Sequence, residues 1–167
     1  AIVTAEYVRA GIHRSQVDTG AIIITGETSR KENAAVVLEN LSDFAGDFVV
    51  ATAGPDLESV LAAKGAGAVE LSRQIPGQVL HMDIGGGTSN LALIEDGQIL
   101  ATDCLNVGGR LLKFDSTGAI SYISPALEGI FDSGMDPKTL ADTLVSGLEM
   151  AAGLQDPTDL LAKLRSR

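Results

Sequence analysis

The sequence predicts an α/β fold, and three observations carry that prediction. Short apolar runs rich in β-branched residues alternate with stretches of helical periodicity over residues 19–74, the pattern of parallel strands joined through helices. Two strands then close on three consecutive glycines, Gly85, Gly86 and Gly87, and a second hairpin turn follows at Asp96-Gly97. Finally, 45% of the 167 residues are hydrophobic but only 4% are aromatic, so the core rests on aliphatic packing between strands and helices rather than on a stacking platform for bases.

A formal charge of −10 argues against nonspecific binding to nucleic acid or to an anionic membrane, since both need a positive patch. The lone Cys104 cannot form an internal disulfide, and no Cys/His cluster has zinc-ligand spacing. No apolar run has the length of a membrane span, and no charged-then-apolar leader opens the sequence. A cytoplasmic protein is expected. The sequence begins in mid-pattern without Met and reads as a piece of a longer chain.

Residues 9–18 are polar and mixed, a solvated connection. His13, beside Arg14, has no acidic or nucleophilic partner at a recognisable spacing and is not taken as catalytic. The run Ala21-Ile22-Ile23-Ile24, closed by Gly26, predicts a buried strand. A helix should follow over residues 28–44: Thr28 or Ser29 can cap it, Ala34, Ala35, Val37, Leu38 and Leu41 keep helical spacing, and Gly46 ends it. Residues 48–53 form a second apolar strand stopped by Gly54-Pro55. Pro55 then opens a helix with Asp56 and Glu58 in its positive first turn, and Gly65 and Gly67 stand in its middle or at a break. Strands joined through a helix lie parallel. A junction at 74–77, around Pro76, divides the chain into 1–77 and 78–167.

Beyond the junction the pattern becomes one of hairpins. Residues 79–82 are an apolar strand, 91–94 continue the second strand, and 98–105 return as a third across Asp96-Gly97. Cys104 in that third strand is read as a small core residue. Residues 106–112 look like a tight turn running into a helix, with Gly108-Gly109 offering either a second anion contact or a plain helix start. Residues 118–123 form a fourth strand ended by Ser124-Pro125. Asp136-Pro137 starts a helix carrying Leu140, Leu144, Leu148 and Met150, and a last helix runs from about 157 to 165.

The chemistry concentrates at Asp83-Ile84-Gly85-Gly86-Gly87-Thr88. Residues without Cβ can present bare N–H groups to an anion. The Thr88 hydroxyl can bond a phosphate oxygen, and Asp83 at the strand end can position a divalent cation through its water shell. Three glycines alone favour a plain glycine-rich hairpin; the acid, the threonine and the two flanking strands reverse that preference in favour of the phosphate site.

This stretch resembles the second phosphate-binding loop of the actin-like ATPase superfamily, which includes actin, sugar kinases, heat-shock chaperones and exopolyphosphatases. The resemblance implies an actin-like ATPase (ribonuclease H-like) fold, with residues 1–77 as the end of a first domain and 78–167 as the start of a second. Gly108-Gly109 with Phe114-Asp115 is similar to an element of the chaperones, but Arg110 stands where an acid is usual, so no catalytic role passes to it. Longer stretches, Thr25-Gly26-Glu27-Thr28-Ser29-Arg30-Lys31-Glu32-Asn33-Ala34, Ala45 on through Ser59, and Asn106-Val107-Gly108-Gly109-Arg110-Leu111, resemble the EutA family of ethanolamine utilization proteins. That resemblance implies an ATP- and magnesium-dependent chaperone, with ethanolamine ammonia-lyase as partner, that releases damaged adenosylcobalamin from the lyase in the bacterial cytoplasm or its ethanolamine-utilization microcompartment. Asp83 would position magnesium and water, and Gly85, Gly86, Gly87 and Thr88 would bind phosphate. Neither a first phosphate hairpin nor an adenosine-binding glycine motif is found, so ATPase activity is expected of the full-length protein and not of this piece. Two alternatives share the loop: an exopolyphosphatase-like phosphohydrolase, although that loop usually continues Ser-Thr-Glu where this one has Thr88-Ser89-Asn90, and an actin-like scaffold.

Overall fold

The structure, a computed structural model, describes residues 2–24, 49–52, 54–132 and 134–166. It divides into two compact units, Ala1–Ala53 and Gly54–Arg167. In the first, helix α1 (Ile2–Ala10) buries no residue and is followed by Gly11 at φ +66°. Strands β1 (Ala21–Ile24) and β2 (Val49–Thr52) pair in parallel, Ala21 opposite Val49 and Ile24 opposite Thr52, as two β-branched runs joined by a long crossover should. The helix expected over 28–44 lies outside the described residues.

The second unit opens with α2 (Pro55–Gly65) and α3 (Ala68–Ser72). Pro55 takes the first helical position, and the break between the helices falls on Gly67, whose φ of +75° is left-handed and suits glycine. Strands β3 (Gln78–Ile84), β4 (Ser89–Glu95) and β5 (Gln98–Leu105) form an antiparallel sheet in that order. The β4–β5 turn places Asp96 at φ +45° and Gly97 at φ +75°, the paired left-handed conformation of a two-residue hairpin. Ser72 anchors this turn by accepting a hydrogen bond from the Gly97 N–H at 2.8 Å.

The sheet is covered on both faces, which is why β4 is buried along most of its length. Ala92 and Ile94 pack with Ala63, Ala68 and Val69 of α2 and α3. Leu91 and Leu105 pack instead with Val107, Leu111, Leu127, Leu140, Leu144, Leu161 and Leu164. Alternation along a strand sends neighbours to opposite faces, so Leu91 and Ala92 serve different cores. Because α2 and α3 lie on this sheet, the compact unit opens at Gly54, upstream of the junction read at 74–77.

Residues 106–112 correct one expectation: no helix follows Gly109. Strands β6 (Leu112–Phe114) and β7 (Ile120–Ile123) form a separate antiparallel hairpin instead. Its loop is closed by the Asp115 carboxylate, which accepts from the Thr117 N–H, the Thr117 hydroxyl and the Ala119 N–H. A side chain that satisfies loop amides in this way competes with helix. Helix α4 (Pro137–Ala151) is capped by Asp136, and α5 (Asp159–Leu164) by Thr158. The chain then runs beside β5, with Leu105 bridged antiparallel to Arg165 and the Asn106 N–H donating to the Leu164 carbonyl at 2.6 Å.

Candidate functional site

The antiparallel register of β3 and β4 brings Asp83 opposite Asn90 and Ile84 opposite Ser89, leaving residues 85–88 as the turn. Its first amide is used internally: the Gly85 N–H donates to the Thr88 carbonyl at 2.8 Å. Nothing among the described residues accepts from the N–H groups of Gly86, Gly87 and Thr88. Those amides are the donors the turn can offer to an anion. None of the three glycines has a left-handed φ. The absence of side chains instead serves close approach: a Cβ on Gly85 would lie 3.1 Å from the Thr88 carbonyl oxygen, and one on Gly87 would meet nothing within 4 Å.

A second turn supports the first. The Gly109 N–H donates to the Gly85 carbonyl at 3.0 Å and the Arg110 N–H to the Gly86 carbonyl at 2.7 Å. These amides are spent on the 85–88 turn, so the second anion contact considered at Gly108-Gly109 is not formed by them. Gly108 is where the approach is tightest, since a Cβ there would stand 2.6 Å from the Gly86 carbonyl carbon and oxygen and the Gly87 nitrogen. Buried Ser89 ties the two segments together by donating its hydroxyl to the Val107 carbonyl at 2.8 Å.

Asp83 is exposed at the strand end beside these amides. Among the described residues, no group of three or more acids, histidines or cysteines could hold a metal ion. A magnesium ion at Asp83 would therefore draw the rest of its octahedral shell from water and phosphate oxygens, its ordinary habit at phosphate sites. An exposed carboxylate is the kind of oxygen donor magnesium takes.

Opposite Asp83, Asn90 is only 3% exposed; among the described residues neither its Oδ1 nor the buried Nδ1 of His81, two residues along β3 from Asp83, has a hydrogen-bond partner. Both lie on the Asp83 face of the sheet, because directly opposed residues and residues two apart share a face. The sequence assigned no role to either of them, and Arg110, to which no catalytic role passed, has its stem over Gly86. A polar residue at an inward strand position was the available signal for Asn90. His13, by contrast, sits in an exposed turn remote in sequence from this site. The structure does give it a hydroxyl partner, Ser15 Oγ at 2.7 Å from Nδ1, which sequence spacing had not suggested.

Comparison with known proteins adds independent findings. A family model described as "Ethanolamine utilisation protein EutA" matches residues 1–154. Over 145 residues the chain is 50% identical to the ethanolamine ammonia-lyase reactivase EutA of Salmonella typhimurium, and over 143 residues it is 49% identical to that of Escherichia coli. These matches cover 84% and 83% of this chain, but the chain spans only 31% of the length of either relative. Among solved structures, the PPX-GPPA enzyme of Aquifex aeolicus superposes with a TM-score of 0.56 at 22% identity, covering 93% of this chain and 46% of that one. An exopolyphosphatase from Cytophaga hutchinsonii gives 0.52 at 19% identity, covering 94% and 47%. At such identities the likeness is one of fold: the chain carries part of an actin-like ATPase fold.

Proposed function

Because the chain belongs to the EutA family of ethanolamine utilisation proteins, we propose that it is part of an ATP-dependent reactivating chaperone that promotes release of damaged cobalamin from adenosylcobalamin-dependent ethanolamine ammonia-lyase. The observation that carries this reading is identity of about one residue in two, over more than four-fifths of the chain, to proteins named as reactivases of that lyase. Residues 1–77 would be the end of a first actin-like domain and 78–167 the start of a second, working in the bacterial cytoplasm. Among the described residues no helix is long and apolar enough to cross a membrane.

The free amides of Gly86, Gly87 and Thr88, with the Thr88 hydroxyl, would grip phosphate oxygens from one side, and Gly85 would hold the turn in shape through its bond to Thr88. Asp83 would orient the magnesium-bound water. Magnesium, when bound, neutralises phosphate charge and fixes the geometry of the transferred group. A matching grip from elsewhere in the longer protein would close the clamp, and loss of the terminal phosphate would remove contacts that hold it shut. Work on the lyase must come from tighter binding to one lyase state than to another, since a ligand shifts an equilibrium only by its differential affinity.

Two measurements on the full-length protein test this. Asp83→Ala should abolish magnesium-dependent ATP turnover; unchanged turnover refutes the role given to Asp83. Intact ethanolamine ammonia-lyase should be retained by the immobilised protein to different extents in ADP and in ATP, and no complex under either nucleotide would refute the reactivase reading.

A further inference from the structure

We propose that Arg110 is the cationic half of the phosphate site: its guanidinium binds the polyphosphate of the nucleotide held by the 85–88 turn. The inference rests on the phosphate-binding reading of that turn and adds a residue to it. Arg110 is fixed to the turn at two levels. Its own N–H donates to the Gly86 carbonyl at 2.7 Å. Its side chain lies along the Cα of Gly86, with Cδ, Nε and Cγ at 3.4, 3.6 and 3.7 Å from the place a Cβ would occupy. Those are ordinary packing distances, so the stem of the arginine lies in contact range over the turn.

The guanidinium is also uncommitted. Arg9, Arg73 and Arg165 each face an acid, Glu6, Glu70 and Asp103 respectively. Arg110 has no ion pair or side-chain hydrogen bond among the described residues. It stands exposed beside N–H groups that are equally without acceptors. A cation lying against a turn whose amides are without acceptors suits a multiply charged oxyanion, and the arginine fork suits phosphate in particular. Electrostatics points the same way. The chain carries a net charge of −10 and the turn begins beside the exposed carboxylate of Asp83, so a polyphosphate approaching without magnesium meets repulsion that a fixed positive charge beside the amides offsets.

The experiment measures binding of ATP and of inorganic tripolyphosphate to the full-length protein by calorimetry, with and without magnesium, in the wild type, Arg110→Gln and Arg110→Lys. Losing a charge-assisted contact should weaken both anions by about tenfold or more in Arg110→Gln, with Arg110→Lys recovering part of the loss. Because the lost contact is ionic, the salt dependence of binding should become shallower in Arg110→Gln, which a merely structural role would not produce. The main-chain bond to Gly86 survives either substitution, and an unchanged unfolding midpoint verifies that the turn is intact. Equal affinities and salt slopes for wild type and Arg110→Gln overturn the inference. Failure of the underlying reading shows elsewhere, in the wild type: tripolyphosphate bound without ATP refutes the ATP assignment while still measuring Arg110, and binding of neither anion overturns both.

Discussion

At Gly108 the backbone of one turn meets the backbone of another, and a single methyl would have nowhere to go. The nearest atoms to its Cβ position are peptide atoms at 2.6 Å, and a peptide cannot rotate aside as a flexible side chain can. Gly108→Ala should therefore destabilise the second unit by about 1–3 kcal/mol, the ordinary cost of overpacking, as read by chemical denaturation. Gly87 makes the opposite case: its Cβ position is open and its φ is not left-handed. Gly87→Ala should leave the unfolding midpoint unchanged while weakening ATP binding by the full-length protein, because the added methyl stands where phosphate oxygens would come. Equal stability of the two variants would refute this division between a glycine that shapes the site and one that receives the ligand.

Among the elements, α4 shows how local and distant forces combine. Asp136 caps it, its carboxylate accepting from the Lys138 N–H at 3.0 Å and the Thr139 N–H at 3.1 Å, with the Thr139 hydroxyl on its other oxygen. The Thr139 side chain first, and then its amide, hold the Asp136 carboxyl below its ordinary value of 3.8. The folded state thus favours the ionised form. Its contribution to stability is present above the unfolded value and is lost as pH falls through the depressed folded one. Thermal midpoints taken from pH 5 to pH 2 should fall less steeply in Asp136→Asn, which keeps a capping oxygen without the titration; parallel profiles would refute the link. At its other end α4 receives α5. Leu164 is fully buried, and its Cδ1 lies 2.2 Å from where a Cβ on Gly147 would be. Leu164→Ala should cost roughly 2–5 kcal/mol. Gly147→Ala should also destabilise, despite the better helix propensity of alanine, because the fully buried Leu164 side chain must move to admit the methyl. A stabilised Gly147→Ala would show that α5 can shift on α4.

For the molecule as a whole, much of the order of elements was legible before any coordinates. Parallel β1 and β2, the left-handed Asp96-Gly97 turn, the Pro55 and Asp136-Pro137 helix starts and the buried Cys104 all follow from patterns within a few residues, where turn chemistry, capping and strand periodicity act. The glycine turn with Asp83 and Thr88 was legible for the same reason. The turn at 106–112 was read as running into a helix because the local pattern permits one, whereas the chain continues into β6 and the Gly86 and Gly85 carbonyls, distant in sequence, accept from the Arg110 and Gly109 amides. The sequence by itself thus determined β1 to β5 and β7, the Pro55 and Asp136 helix starts and the hairpin closed by three glycines. Only the tertiary structure decided which of those amides remain free, that Gly108 and Arg110 close over the turn, and that helices from both directions along the chain cover the two faces of one sheet. Those outcomes depend on close contact between segments far apart in the chain, which no local pattern specifies.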